Sequence, residues 1–326
     1  MIKIPSLLRM VARILVLLLP ITAFAQAYPN RAITLVTPYA PGSPVDLSAR
    51  LVARELAVKL GQSVVVENRP GAGGSIGTSY AARATPDGYT LVYYATSSAA
   101  INPALYKKLS YDWNKDFVAV APTLKLHNTL VMRPGLAAKN LRELVDLMRA
   151  NPGKLTAAYP GAGSTSHLAL AMFSVMTKAD IVKVAYKGDP EMLQALMNAD
   201  IDMFFTSGGQ VAQLAQSGKL RPVAVLGAQR NSLTPDVPTF AEAGFPDSFD
   251  AGVWLGVATN AAVSPAIVKQ LNEAITAVTR GPAFLEYVRK IGASPLYAAP
   301  AELNAFIKAE QVRWAGAVKA SGAAVE

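Results

Sequence analysis

Ile33-Thr34-Leu35-Val36-Thr37-Pro38-Tyr39-Ala40-Pro41-Gly42-Ser43-Pro44-Val45-Asp46 is the stretch on which the fold turns. A β-branched, apolar run ends at Pro38, which reads as a strand and its stop. A turn containing Gly42 follows, and then a helix start. Ser43 is a good N-cap, Pro44 suits the first helical position, and Asp46 stands three residues after the cap, a capping-box pattern with Asp in place of Glu. A strand that feeds directly into a helix is the building unit of an α/β protein.

Outward from this unit the pattern repeats. Runs at 33–37, 64–67, 91–95, 117–122, 129–132, 155–159, 181–186, 201–205, 222–227 and 253–258 read as strands. Helical patterns lie at 44–60, 75–83, 141–150, 165–177, 190–199, 209–218, 265–279, 282–291 and 300–321, with Pro265, Pro282 and Pro300 placed for first-turn positions. Several strands are continuous apolar runs, as parallel strands buried on both faces are. The strand count is high for one sheet. We therefore expect two α/β lobes, each a mostly parallel sheet flanked by helices, with a ligand cleft between them. Ligands in such sheets bind beyond the carboxyl ends of strands, so the loops after strands carry the functional reading.

The 326 residues are 52% apolar and 16% charged, which excludes a disordered chain. Cysteine is absent, which excludes disulfides, thiolate catalysis, thiolate zinc sites, Cys-ligated clusters and a lipid anchor on an N-terminal cysteine. Residues 1–27 read as a secretory signal peptide: Lys3, Arg9 and Arg13 precede the apolar stretch 14–24, and Ala25-Gln26-Ala27 is a small-x-small cleavage pattern. The apolar core is too short to span a bilayer. The expected product starts near Tyr28 and is periplasmic. Loss of those three basic residues takes the net charge from +9 to +6. There is no run of five or six Lys and Arg and no nucleic-acid motif, so the excess reads as a solvated basic surface or as attraction for small anions, with no nucleic-acid partner.

Two loops combine glycine, hydroxyls and a helix start. In the first, Gly42 permits close approach of a ligand to the backbone and the helix start offers free N–H groups, a reading compatible with a plain capped helix. The second is Tyr159-Pro160-Gly161-Ala162-Gly163-Ser164-Thr165-Ser166-His167, where consecutive hydroxyls open an apolar helix. It reads either as an anion site or as capping alone. His167, in the first turn, either donates to a carboxylate or caps. Tyr186-Lys187-Gly188-Asp189, Thr206-Ser207-Gly208-Gly209 and Thr96-Ser97-Ser98 are weaker strand-end loops of the same kind.

Gly71-Ala72-Gly73-Gly74-Ser75-Ile76-Gly77 fails as a dinucleotide fingerprint, because its third glycine position is Ile76 and it does not follow the first strand. His127 and His167 are the two histidines, and neither has a ligand partner at i+4. We expect no metal, no cofactor and no enzyme activity. The rival from another class is an exported serine hydrolase using Ser164 or Ser166 with His167, although sequence adjacency does not make a triad.

Several strings, in order, resemble the substrate-binding proteins of tripartite tricarboxylate transporters, the Bug (TctC) family. They are Pro29-Asn30-Arg31-Ala32-Ile33 with Tyr39–Asp46, then Val64-Val65-Val66-Glu67-Asn68-Arg69-Pro70-Gly71-Ala72-Gly73-Gly74, and Ala84-Thr85-Pro86-Asp87-Gly88-Tyr89-Thr90-Leu91. Ile101-Asn102-Pro103-Ala104-Leu105-Tyr106, Ser164-Thr165-Ser166-His167-Leu168, Tyr186-Lys187-Gly188 and Pro235-Asp236-Val237-Pro238-Thr239 continue the series. The resemblance spans essentially all of the chain after the signal. It implies a two-lobe, type II-like periplasmic binding protein, lobe 1 being 28–125 plus 227–326 and lobe 2 being 126–226. It implies capture of a small carboxylate (di- or tricarboxylate or aromatic acid), delivery to membrane permease subunits, and a monomer. A sensor that signals to a membrane kinase shares the same site and is the alternative.

Carried over by the resemblance, the ligand-binding residues are Tyr39, Gly42, Ser43 and Asp46 in the first loop, and Gly163, Ser164, Thr165, Ser166 and His167 in the second. Thr96, Ser97, Asn102, Tyr186 and Thr206 are weaker members of the set. Two departures stand out. Ser43 occupies a position where the family usually has a second glycine, and Thr206-Ser207 stands where many members carry Asp-Asn. An acid at the latter place would suit a ligand ammonium, so its loss points to an acid without an amino group.

Overall fold

The strand and the Ser43-capped helix of the first unit form as the sequence predicts, but the reciprocal half of the capping box does not: the Asp46 carboxylate accepts from the Gly42 N–H, and the Ser43 N–H donates to the Ala40 carbonyl. In the computed structural model, which describes residues 28–161, 163–246 and 251–323, Ile33–Thr37 is a buried strand and Ser43 caps the Pro44–Leu60 helix, its Oγ accepting from the Asp46 N–H at 3.2 Å. The expected signal peptide lies outside the described residues.

The strands run β1 (Ile33–Thr37), β2 (Val64–Asn68), β3 (Thr90–Ala95), β4 (Phe117–Leu126), β5 (Asn128–Met132), β6 (Thr156–Tyr159), β7 (Val182–Ala185), β8 (Met203–Ser207), β9 (Arg221–Leu226), β10 (Val253–Asn260) and β11 (Ala293–Pro295). They build two sheets, in the orders β11-β4-β10-β3-β1-β2 and β7-β6-β8-β5-β9. Helices flank both. Pro265, Pro282 and Pro300 each open a helix, where the missing N–H breaks no intrahelical bond.

The sheets are mixed, which corrects the expectation of mostly parallel ones. β1, β2 and β3 are mutually parallel, as are β6, β7 and β8. β10 runs antiparallel to both β3 and β4, and β5 antiparallel to both β8 and β9. The cause is connectivity. β4 and β5 are separated by His127 alone yet belong to different sheets, and β9 and β10 likewise belong to different sheets. In each sheet the strand that receives the chain from the other, β5 or β10, runs against the βα strands, whereas β4 and β9, from which the chain leaves, run with them. β11 was not expected: it is short, sits at a sheet edge and ends in Pro295, as edge strands tolerate.

One apolar cluster joins the two sheets, running from Val92, Tyr94 and Trp254 through Phe173 and Phe205 to Leu130. The Pro300–Ser321 helix packs on β4 and also on the Thr165–Thr177 helix of the second sheet. Its Glu310 is buried, and its carboxylate accepts from the indoles of Trp254 and Trp314 and pairs with Arg313. These partners satisfy a charge that would otherwise be costly to bury. No helix among the described residues is long and apolar enough to cross a membrane.

Candidate functional site

A cavity of about 390 Å³ lies where the strand-end loops of the two sheets meet. One wall is Tyr39, Val45, Gly73, Ala95, Ser97, Asn102, Leu105 and Tyr106. The other is Pro160, Gly163, Ser164 and Thr165, and Val253 at the start of β10 closes the set. Tyr39, Ser97, Gly163, Ser164 and Thr165 of the expected residues therefore converge here, with Asn102.

Tyr39 is held by its phenol, which shares a 2.7 Å hydrogen bond with Ser97 Oγ. Burial pushes its pKa up, with the hydroxyls of Ser97 and Ser98 pulling the other way, so it stays a neutral phenol at physiological pH. Behind it lies the glycine string that fails as a nucleotide fingerprint. Gly74 has φ +90°, and a Cβ there would meet the Tyr39 hydroxyl at 3.2 Å. The string is a surface against which Tyr39 and the buried Asn102 pack. Asn102 Nδ2 donates to Gly73 O at 3.0 Å and to Ser75 Oγ at 3.1 Å.

Gly42, Ser43 and Asp46 lie outside the cavity lining, and their groups are engaged with one another. Asp46 is 1% exposed. Its carboxylate accepts from the Gly42 N–H at 2.8 Å, Arg50 Nε at 3.0 Å and Asn68 Nδ2 at 2.7 Å. Burial alone would raise its pKa; the bonds from Arg50, Asn68 and Gly42 outweigh that and lower it. Asp46 thus braces the loop that carries Tyr39. Asn68 extends the brace, donating to the Tyr39 carbonyl at 3.1 Å.

The second loop is organised by His167 and Ser164. The Gly163 N–H donates to His167 Nδ1 at 3.2 Å, and the His167 N–H donates to Ser164 Oγ at 3.2 Å. Ser166 Oγ donates to the Phe205 carbonyl at 3.1 Å. The N–H groups of Thr165 and Ser166, at the head of the Thr165–Thr177 helix, have no acceptor among the described residues. Such a pair, at the positive end of a helix, favours an anion.

The His167 ring stacks on Tyr159, with centroids 4.2 Å apart. Neither serine hydroxyl of this loop is bonded to that ring, so no nucleophile–base pair is formed. Burial, aided by Lys183, lowers the His167 pKa. As pH falls below the ordinary histidine value of about 6.5, the unfolded chain takes up this proton before the native one does. Stability is therefore lost as pH falls from there towards the lowered native value. Denaturant titrations at pH 7.5 and 5.5 should show a smaller loss for His167→Gln than for the wild type. An equal loss in both proteins would remove His167 as the source.

Thr96, Tyr186 and Thr206 are not in the cavity lining. Thr96 Oγ1 accepts from the Trp254 N–H at 2.8 Å and so ties the end of β3 to the start of β10. The Tyr186 N–H donates to the Tyr159 carbonyl at 2.9 Å, and its ring packs on the second apolar cluster, which includes Ala158 and Phe204. Thr206 Oγ1 donates to Asp189 Oδ2 at 3.0 Å. Leu105, Tyr106, Pro160 and Val253 were not singled out from the sequence. Leu105 and Tyr106 end the Ile101–Tyr106 string, and that string following a strand-end serine pair was the available signal.

A family model described as a tripartite tricarboxylate transporter family receptor matches residues 48–323. The chain is 35% identical over 300 residues to Protein BugT of Bordetella pertussis, covering 92% of each chain. Among solved structures it resembles R. palustris Rpa4515 with adipate, at TM-score 0.79 and 32% identity over 91% of this chain and 99% of that one. It also resembles MatC from Rhodopseudomonas palustris with bound malate, at TM-score 0.75 and 31% identity over 89% of this chain and 100% of that one.

Proposed function

This chain belongs to the tripartite tricarboxylate transporter family of receptors, and we propose that it is a periplasmic solute receptor that closes around a small organic carboxylate and presents it to membrane permease subunits. The observation that carries the reading is the pair of Thr165 and Ser166 N–H groups, which have no acceptor among the described residues and open beside a cavity whose opposite wall carries the Tyr39 and Ser97 hydroxyls. The relatives with adipate and malate support a carboxylate. The arrangement at His167, with no serine hydroxyl on its ring, supports binding without turnover.

The mechanism follows from the two walls. The ligand carboxylate sits on the head of the Thr165–Thr177 helix, and the Thr165, Tyr39 and Ser97 hydroxyls complete its shell. Gly163, Ser164 and His167 hold that loop in shape, and Asp46 holds the opposite one. Hydrogen bonds to a charged group contribute about 1.5–3 kcal/mol each, and a helix start adds roughly 0.3–1 kcal/mol. Lost ligand freedom offsets much of this, which leaves a dissociation constant of roughly micromolar order. Contacts from both walls are made together only when the walls are close, so ligand favours the closed arrangement.

We place lobe 1 at 28–125 plus 227–326 and lobe 2 at 126–226, supported by the two points at which the chain passes between sheets. Export with cleavage near Ala27, and action as a monomer, complete the proposal.

The test is a melting panel on mature protein that has been unfolded and refolded to remove carried-over ligand. Citrate, C4–C6 dicarboxylates, benzoate, phthalates, nicotinate and charged amino acids are its members. A ligand at 100 times its dissociation constant adds about 2.7 kcal/mol, which raises the melt by roughly 5 °C or more for a chain of this size. A flat panel would overturn the carboxylate-receptor reading.

A further inference from the structure

Asp189 opens the Asp189–Met197 helix, and its position in the fold is specific. β7 and β8 flank β6, and all three strands run parallel, so their carboxyl ends share one edge of the sheet. Asp189 follows β7 and Thr206 stands near the end of β8, so the 3.0 Å bond between them passes over the carboxyl end of β6. The residue that follows β6 is Pro160, which lines the cavity. A carboxylate outside the cavity lining therefore stands across the strand end that leads to the lining residue Pro160. It also occupies, from a different loop, the neighbourhood of Thr206-Ser207, where the sequence had suggested that no acid remained.

This carboxylate is largely buried, which raises its pKa; the Thr206 hydroxyl compensates it in part. Among the described residues no cationic side chain pairs with it. Lys187, two residues away, is exposed, and its N–H donates to Glu191. A buried carboxylate with one hydroxyl partner and no counter-charge is costly. The carboxyl-end edge of this sheet therefore carries both signs, a positive helix head at Thr165 and Ser166 after β6 and, across the end of β6, an acid with no counter-charge among the described residues. The complementary ligand carries an anionic and a cationic group close together.

We propose that Asp189 reads the positive end of the ligand, so that this receptor prefers an amino-carboxylate to the corresponding simple acid. The proposal rests on the carboxylate-receptor reading and narrows it.

Calorimetric titration of refolded mature protein with matched pairs, aspartate against succinate and glutamate against glutarate, tests it. In the wild type the amino member of at least one pair should bind tenfold or more tightly than its parent acid. Asp189→Asn should weaken that amino acid tenfold or more and strengthen the parent acid, because an anion near the ligand carboxylate has been removed. A merely structural Asp189 would weaken both members alike, and that result overturns the proposal. Simple acids that bind more tightly than their amino counterparts in the wild type also overturn it while leaving the receptor reading intact. That comparison needs no variant. If neither member of any pair binds and the wider melting panel is flat, the receptor reading itself fails and takes this one with it.

Discussion

Gly163→Ala should raise the dissociation constant of the ligand by about 5- to 150-fold, the equivalent of roughly 1–3 kcal/mol of overpacking. Gly163 stands in the loop after β6, with φ +74°, and its Cα faces Leu105 of the opposite wall. A Cβ built there falls on Leu105 Cδ2, with Cδ1 and Cγ each at 3.1 Å. Leu105 is 3% exposed and belongs to the apolar cluster, so the room it has to turn is the cavity it lines, where it would intrude on the ligand's space. The two walls can relieve the collision by separating, which is the open arrangement. A second cost, about 1–2 kcal/mol for an L-residue in the left-handed region, falls on open and closed forms alike and lowers overall stability instead of affinity. Calorimetry with whichever acid shifts the melt separates these effects. The double variant Gly163→Ala/Leu105→Ala should regain affinity relative to the sum of the single changes, since the collision needs both partners. Wild-type affinity in Gly163→Ala would show that the walls do not need to meet there.

How much of this was legible beforehand follows the range of the interactions. The helix caps depend on residues three apart: Ser43 caps as read, and of the hydroxyls that open the second helix Ser164 takes the cap. The three prolines that open C-terminal helices are equally local. Strand direction was misjudged at β5 and β10 because apolar runs look alike in either direction, and only the passage between sheets sets it. Asp46 read as a residue facing a ligand because its partner Asn68 is remote in sequence and the acceptor role of its carboxylate toward Gly42 is set by the turn. Val253 reaches the cavity only because β10 starts at the junction of the sheets, which no local pattern announces. The glycine string at 71–74 was visible, but its purpose was not. It makes room for Tyr39 and Asn102, and close approach leaves no mark beyond glycine itself.

The largest expected loss of stability lies at the centre of the first sheet. Gly256 lies on β10, opposite Tyr94 of β3. A Cβ there would overlap the Tyr94 hydroxyl, meet its Cζ at 2.5 Å and the Ala121 carbonyl at 2.8 Å. Tyr94 is fully buried, with its ring edge-on to Trp113 at 4.9 Å and to Trp254 at 5.9 Å, so it cannot swing aside without disturbing both. Ala121 belongs to β4, and backing away from it breaks the pairing of β10 with β4, which joins the βα units to the edge strand. With obstruction on two sides, Gly256→Ala should cost about 3 kcal/mol or more, the upper end of overpacking. A gain of about 0.4–1 kcal/mol from the stiffer unfolded chain does not offset that. The melt should fall by roughly 6–12 °C. Tyr94→Phe in the same chain removes the overlapping hydroxyl and should return part of the loss, while the Ala121 contact keeps the rest. Neither Gly256 nor Tyr94 lines the cavity, so the ligand should still raise the lowered melt. A Gly256→Ala protein that melts with the wild type would mean that β10 and β4 are far less tightly apposed than the 2.8 Å approach requires.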